Sequence, residues 1–197
     1  SCWAFSAMAA IEDIHQIITE NLVSLSEQEL VDSDRRNNGC RGGFPQYAFE
    51  YITKNVGINS EAHYPYKGVE GTCRKTSPTA QIKGYEFVPV DNEKEVRKEV
   101  AKQPVSVAID SSGVDFYLYT GGIFRGKCGT TLDHVVTIVG YGSIVDGTKY
   151  WIVKNSWGTE WGEIGYIRMQ RDTDAKHGYP WQYRKDLVWH LCLVAFL

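Results

Sequence analysis

The sequence predicts an α+β fold, with a helical first half and a second half that consists mainly of β-strands. Apolar residues recur at helical spacing up to residue 57, whereas short runs rich in valine and isoleucine dominate after residue 104. The chain has 197 residues, of which 43% are hydrophobic, so it is long enough for one large domain or two small ones with real cores.

The first predicted helix begins at Cys2. Its apolar residues follow one another at steps of four, three and four, and they are Ala7, Ile11, Ile14 and Ile18. Unpaired N–H groups and the positive end of the helix dipole favour a negative charge, so they favour the thiolate form of Cys2. Cys2 is therefore a candidate nucleophile. The alternative is a small buried apolar residue, the usual fate of a free cysteine.

Three more helices are predicted from their start signals. Ser26 with Glu29 three residues later is a capping-box pattern, and the flanking Leu25 and Leu30 are placed as a hydrophobic staple. A third helix is predicted from Pro45, which suits a first helical turn.

The third helix is predicted to stop at Gly57, a common residue just past a helix end. A fourth, capped segment is predicted from Asn92 with Glu95, and it runs to Lys102. These signals give the first half its helical character and add one helix ahead of the strands.

Four strands are predicted in the second half, at residues 105–109, 135–139, 150–153 and 166–169. A helical half packed on a β half leaves a cleft at their junction, which is a common location for binding sites. His134 and Asn155 border two of these strands, 132 and 153 residues after Cys2. The sequence therefore offers a thiol, an imidazole and an amide at the edges of its regular elements.

Six short motifs stand in one order along the chain. They are Ser-Cys-Trp-Ala-Phe-Ser (1–6), Ser-Leu-Ser-Glu-Gln-Glu-Leu-Val-Asp (24–32), Gly-Cys-Arg-Gly-Gly (39–43), Tyr-Pro-Tyr (64–66), Asp-His (133–134) and Asn-Ser-Trp-Gly (155–158). With these motifs the chain resembles the papain-like cysteine proteases, and among them the plant enzymes, from residue 1 to about residue 178. The spacing from Cys2 to His134 and Asn155 agrees with that family's own interval of roughly 130 to 150 residues.

The resemblance implies a papain-like fold, in which the helical half packs against a β-barrel-like half and the active-site cleft lies between them. We expect a mainly helical domain at residues 1–87 that carries the nucleophile. A mainly β domain at residues 88–178 is expected to carry the histidine and the asparagine. Residues 179–197 are expected to form a divergent tail.

The resemblance also implies the catalytic roles. Cys2 is expected to attack the peptide carbonyl, and His134 to hold it as a thiolate and later to protonate the leaving amine. Asn155 is expected to orient the imidazole, as in the Cys-His-Asn form of the catalytic triad. Trp157 is expected to shield the bond between Asn155 and His134 from water, a role that an ordinary core tryptophan could also fill.

The expected substrate-binding residues follow from the same match. Gly42 and Gly43 would let an extended peptide approach like an added strand, whereas the residues alone favour a simple turn. The positions that line the family's main specificity pocket are all apolar, namely Phe44, Pro45, Ala108, Leu132 and Val135. They predict preference for an apolar residue at P2, one position before the scissile residue. Asp133 and Trp157 complete the expected set.

Two departures from the family pattern lead us to expect a chain that is truncated at its N-terminus and has a divergent C-terminal tail. A single residue, Ser1, precedes Cys2, whereas family members carry about two dozen there, including a glutamine of the oxyanion hole. The Cys2 N–H would be the remaining donor, and loss of one donor typically costs about 10² to 10³ in rate. The sequence beyond residue 178 also lacks the Cys-Gly motif with which the family would continue.

The cysteines depart from the family as well. The expected partner of Cys40 lies upstream, Ser33 replaces the expected partner of Cys73, and Cys128 also lacks its partner. Substitute bridges between Cys40 and Cys73, or between Cys128 and Cys192, are conceivable, and we expect neither.

The predicted function is that of a cysteine endopeptidase acting through an acyl-enzyme, secreted or located in a vacuole or lysosome. The alternative is a catalytically impaired or inactive homologue, and a Cys/His acyltransferase is disfavoured by Gly42, Gly43 and the Asn-Ser-Trp context. Expected partners are peptide or protein substrates and, by resemblance, cystatin-type inhibitors, with a monomer as the default. A net charge of −3 gives no reason to expect nucleic acid or a membrane surface, and residues 187–197 are too short an apolar run to span a bilayer. No cofactor is expected, and no metal, since no histidine pair has ligand spacing.

Overall fold

The structure of the protein is a computed structural model that describes residues 1–74, 77–89, 92–126, 129, 131–172 and 192–195. Five α-helices lie in these ranges: α1 (Cys2–Thr19), α2 (Glu27–Ser33), α3 (Pro45–Lys54), α4 (Glu93–Val100) and α5 (Val114–Tyr117). A 3₁₀-helix spans Gly39–Arg41. Within the described residues, no helix is both long enough and apolar enough to cross a membrane.

Seven strands in the described part form one sheet. They are β1 (Gly84–Phe87), β2 (Val105–Ile109), β3 (Ile123–Phe124), β4 (His134–Ser143), β5 (Lys149–Lys154), β6 (Tyr166–Gln170) and β7 (Cys192–Ala195). Their order across the sheet is β1-β7-β2-β4-β5-β6-β3. All neighbours are antiparallel except β3 and β6, which are parallel.

The predicted helices are confirmed, with shorter ends for two of them. Helix α3 begins at Pro45 and stops at Lys54, three residues before Gly57, which takes a positive φ of 132°. Helix α4 stops at Val100 rather than at Lys102, while Asn92 accepts its capping bond as predicted. Helix ends are set by local caps that can act one turn early, so these differences are small.

The capping box of α2 forms only in part. The hydroxyl of Ser26 accepts from the N–H of Glu29 at 3.0 Å, as predicted. The carboxylate of Glu29 instead accepts from the backbone and side chain of Asn59, both at 2.9 Å, and the Ser26 N–H donates to the Asn59 carbonyl. A partner distant in sequence has therefore replaced the local return bond.

The four predicted strands are confirmed as β2, β4, β5 and β6. Three further strands and α5 were not predicted. Strand β3 has only two residues, and β1 is half-exposed with a glutamate in its pattern, so neither shows a continuous apolar run. Residues 192–195 of the expected tail pair with β1 and β2. The domain boundaries at residues 87 and 178 stay predictions.

Two hydrophobic clusters pack on either side of the sheet's centre. One joins the three N-terminal helices and includes Val135 of β4. The other gathers β-strand residues together with α4 and α5, and includes Val136. Because successive strand residues point to opposite faces, β4 contributes to both clusters. This position makes β4 the element that faces α1.

Candidate active site

The N-terminus of α1 positions Cys2. Ser1 is the N-cap, and its carbonyl accepts from Ala4 at 2.9 Å, so Cys2 is the first helical residue. The next residue, Trp3, is fully buried and donates its indole N–H to the Gly39 carbonyl at 3.0 Å. This bond ties the start of α1 to the loop that carries the glycine pair.

The start of β4 and the end of β5 position His134 and Asn155. His134 is the first residue of β4, and only 7% of its surface is exposed. Its Nε2 donates to Oδ1 of Asn155 at 2.7 Å. The Ser156 N–H donates to the same oxygen at 2.8 Å, which holds the amide with its oxygen toward the ring. The Asn155 Nδ2 is buried and finds no partner among the described residues.

Cys2 and His134 shift each other's pKa in opposite directions. Burial alone would raise the pKa of Cys2, but the hydrogen bond and the positive charge of His134, together with the backbone N–H of Val135 and the charge of the N-terminus, outweigh it, and the pKa is lowered. Burial alone would lower the pKa of His134, yet the bonds to Cys2 and Asn155 raise it. Since Nε2 is engaged by Asn155, the Cys2 thiol lies on the Nδ1 side. The pair therefore favours a thiolate next to an imidazolium.

An aromatic cluster covers one side of this arrangement. The Trp157 ring lies 5.2 Å from the His134 ring, centroid to centroid, at an interplanar angle of 30°. The same ring also contacts Phe116, Tyr117 and Trp161, at centroid distances of 5.4, 6.0 and 5.3 Å. Since Trp157 is 37% exposed, it stands at the surface above the buried His134–Asn155 bond.

The glycine pair follows the 3₁₀-helix. Gly42 has a φ of 117°, and a Cβ there would meet open space. A Cβ on Gly43 would collide with the side chain of Asn37. Asn37 accepts from the Phe44 N–H at 2.7 Å and so fixes the chain just before α3. The loop is thus open to solvent beside Gly42 and closely packed beside Gly43.

The expected pocket residues come from three elements. Phe44 is 56% exposed, while Pro45 is buried at the first position of α3. Ala108 and Val135 are direct cross-strand partners on β2 and β4, so their side chains share one face of the sheet. Leu132 is partly buried in the segment just before β4.

Asp133 is exposed beside His134. Its carboxylate accepts from the backbone and hydroxyl of Ser111, at 2.7 and 3.0 Å. Its charge also contributes to the raised pKa of His134. Asp133 therefore holds the loop after β2 in the structure, and its role toward a substrate stays a prediction.

The comparisons with known proteins agree with this geometry. A family model described as papain family cysteine protease matches residues 1–182. The chain belongs to the papain family of cysteine proteases. It is 58% identical over 182 residues to vignain from Ricinus communis, covering 90% of this chain and 51% of vignain. It is 54% identical over 180 residues to the senescence-specific cysteine protease SAG12 from Arabidopsis thaliana, covering 90% and 52%.

A solved structure supports the papain-like fold. The chain aligns with the bromelain protease from Ananas comosus, in complex with the inhibitor E64, at a TM-score of 0.91 and 43% identity. The alignment covers 100% of this chain and 89% of bromelain. The chain spans about half the length of the curated relatives it matches.

The cysteines of this papain-family chain are unbridged where the structure describes them. Cys2, Cys40 and Cys73 are free within the described ranges, so the conceivable Cys40–Cys73 bridge is absent. The Cys128–Cys192 pair lies outside what is described, since Cys128 is not described and Cys192 is described only as part of β7.

Sequence reasoning missed a charged cavity beside Asn155. It lies between α1 and strands β4 and β5, and its lining includes Glu12, Glu27, Lys154 and Asn155. Burial raises the pKa of Glu27 to about 8, and the charges of Glu12 and Glu61 add to the rise. A glutamate in the first turn of a helix is usually exposed, so no sequence signal pointed to the burial of Glu27.

Proposed function

We propose that this chain is a cysteine endopeptidase that cleaves peptide bonds with Cys2 as nucleophile. One observation carries the proposal: Cys2 and His134 perturb each other's pKa toward the ion pair, while Asn155 holds the far side of the imidazole at 2.7 Å. Family membership supports the same reaction, because the relatives it matches are described as cysteine proteases.

The proposed reaction has two halves. The Cys2 thiolate attacks the carbonyl carbon, and His134 gives its proton to the amine as the C–N bond breaks, which leaves a thioester. His134 then takes a proton from water, water attacks the thioester carbonyl, and the thiolate leaves. The Cys2 N–H at the start of α1 would donate to the oxyanion in both halves.

We further propose that the chain prefers an apolar residue at P2. Ala108 and Val135 share one face of the sheet, Val135 packs in the helical cluster, and Pro45 is buried at the start of α3. An Ala108→Glu variant would introduce a charge on that face. We expect it to lose hydrolysis of Phe-Arg and Leu-Arg amides relative to Lys-Arg amides, and equal losses on all three would contradict the preference.

By family resemblance, the proposal extends to protein substrates and to cystatin-type inhibitors as partners. A secreted, vacuolar or lysosomal location fits the relatives, which come from plants. The raised pKa of Glu27 favours its neutral form, which suits an acidic compartment.

The test is hydrolysis of a fluorogenic Phe-Arg amide in the presence of a reductant. The Cys2→Ala variant should lose all activity, whereas Cys73→Ala, which removes another free thiol at an exposed position, should keep it. E64 should inhibit the wild-type chain, as it forms a complex with bromelain. A folded wild-type chain, checked by circular dichroism, that shows no hydrolysis would favour the impaired homologue instead.

A further inference from the structure

We propose that three buried hydroxyl side chains, Ser6, Ser106 and Thr137, set the relative position of Cys2 and His134. We call them the hydroxyl cluster. They are positioning residues that join the helix of the nucleophile to the strand of the imidazole. This inference rests on the proposed catalytic roles of Cys2 and His134.

The hydroxyl cluster lies close in sequence to both reacting residues. Ser6 lies four residues after Cys2 on α1, and Thr137 lies three residues after His134 on β4. Residues four apart on a helix lie on the same face, so Ser6 stands below Cys2. Ser106 of β2 is the direct cross-strand partner of Thr137, and the two side chains therefore share one face of the sheet.

Four contacts of hydrogen-bond length, made by the three hydroxyl protons of the cluster, connect the helix with the two strands, and Thr137 shares its proton between the hydroxyl and the carbonyl of Ser6. The Ser6 hydroxyl lies 2.9 Å from the Val136 carbonyl, to which it donates, and 3.0 Å from the Thr137 hydroxyl. Two hydroxyls approach the Ser6 carbonyl as donors, that of Ser106 at 3.2 Å and that of Thr137 at 3.3 Å. Helix α1 therefore donates a hydrogen bond to β4 and accepts hydrogen bonds from β2 and β4.

All three side chains of the hydroxyl cluster are buried. Ser6, Ser106 and Thr137 are 3%, 0% and 1% exposed, so removing one hydroxyl leaves its partners inside the protein. Apolar contacts such as those of Val135 hold α1 on the sheet without a preferred direction. Hydrogen bonds depend on distance and angle, so the cluster resists sliding of α1 along β4. A shift of about 1 Å between reacting groups can cost about 10²-fold in rate.

The test compares Ser6→Ala and Thr137→Val, which remove a hydroxyl, with Thr53→Val as the matched control. Thr53 donates to the Phe49 carbonyl, so its bond lies within one helix and does not link α1 to β4, and its loss tests the effect of losing a hydroxyl as such. Thr137→Ser keeps the hydroxyl and serves as the conservative variant. Circular dichroism checks that each variant is folded.

Two readouts separate positioning from stability. The first is the pH dependence of Cys2 alkylation by iodoacetamide, followed by mass spectrometry of the Cys2 peptide. We expect Ser6→Ala and Thr137→Val to raise the apparent pKa of the thiolate by about one unit, as the ion pair weakens. The second is hydrolysis, where kcat should fall by about 10²-fold while KM changes little. Thr137→Ser should recover most of both effects, and Thr53→Val should change neither.

The outcomes distinguish this inference from the proposed function. A wild-type Cys2 that alkylates like an ordinary thiol overturns the proposed function, and the positioning role with it. A wild-type thiolate at low pH that persists unchanged in both Ser6→Ala and Thr137→Val overturns the positioning role alone. If Thr137→Val does not fold, Ser6→Ala decides the question, and an unchanged thiolate in that variant overturns the positioning role.

Discussion

Replacing Glu27 by glutamine should stabilise the protein at neutral pH and do so much less at pH 5. Glu27 lines the cavity between α1, β4 and β5, where burial is the main cause that raises its pKa to about 8. The charges of Glu12 and Glu61 raise it further, while Lys154 lowers it. The folded chain therefore holds this proton at a pH where the unfolded chain has lost it.

The magnitude follows from the two pKa values. Below the ordinary value of 4.5, both the folded and the unfolded chain hold the proton, and Glu27 costs no stability. As the pH rises toward 8, the unfolded state gains from ionisation and the folded state does not, so stability falls. Between pH 5 and pH 7 this loss amounts to about 2 kcal/mol. Glutamine cannot ionise, so it removes the loss.

The assay is urea unfolding followed by tryptophan fluorescence, at pH 5 and at pH 7. We expect the difference in free energy of unfolding between the two pH values to shrink by about 2 kcal/mol in Glu27→Gln. The exposed Glu160→Gln is the matched control and should leave that difference unchanged. Equal pH dependence in wild type and Glu27→Gln would refute the reasoning, because it would mean that Glu27 ionises normally in the folded chain.

Three further predictions concern single residues. Ser33→Cys should form a disulfide with Cys73, because the family resemblance places the partner of Cys73 at residue 33 and Cys73 is free. The bridge should raise the free energy of unfolding under oxidising conditions by about 4 kcal/mol. Denaturant unfolding with and without reductant measures this, and peptide mapping that finds no bridge contradicts it. Gly43→Ala should lower stability by about 1 to 3 kcal/mol, because its Cβ displaces the side chain of Asn37, and an unchanged midpoint of thermal unfolding would contradict this. Asn155→Ala should lower kcat by up to about 10²-fold and narrow the pH range of activity, because the imidazole of His134 loses the hydrogen bond that orients it. A pH–rate profile as wide as that of the wild type would contradict the orienting role.

Local signals predicted much of the fold. The periodicity of α1, the proline at the start of α3 and the cap of α4 each act within a few residues, and the structure confirms all three. Strand β2 was predicted with its observed bounds, Val105–Ile109, because its two valines and its isoleucine recur at every second position. Strands β1 and β3 and helix α5 lacked such signals, since short or half-exposed segments form through their neighbours.

The candidate site, like the fold, was predicted from the sequence only in part. The sequence named Cys2, His134 and Asn155 by motif and spacing, and it placed Cys2 at a helix start by periodicity alone. It could not show that the helix and the strand meet, because the two residues are 132 positions apart and no local rule acts over that range. The perturbed titration of the pair exists only once burial and proximity are combined.

The sequence by itself determined the residue types, the helix starts, the central strands and the papain-family assignment, since all of these depend on neighbours in the chain or on matched motifs. Only the tertiary structure decided that Glu29 bonds Asn59 instead of closing its own cap, and that Glu27 lies in a cavity. It alone brought Ser6 to Thr137. The physical reason is that desolvation and long-range hydrogen bonds depend on what the fold packs against a residue, and a residue's sequence neighbours do not contain that information.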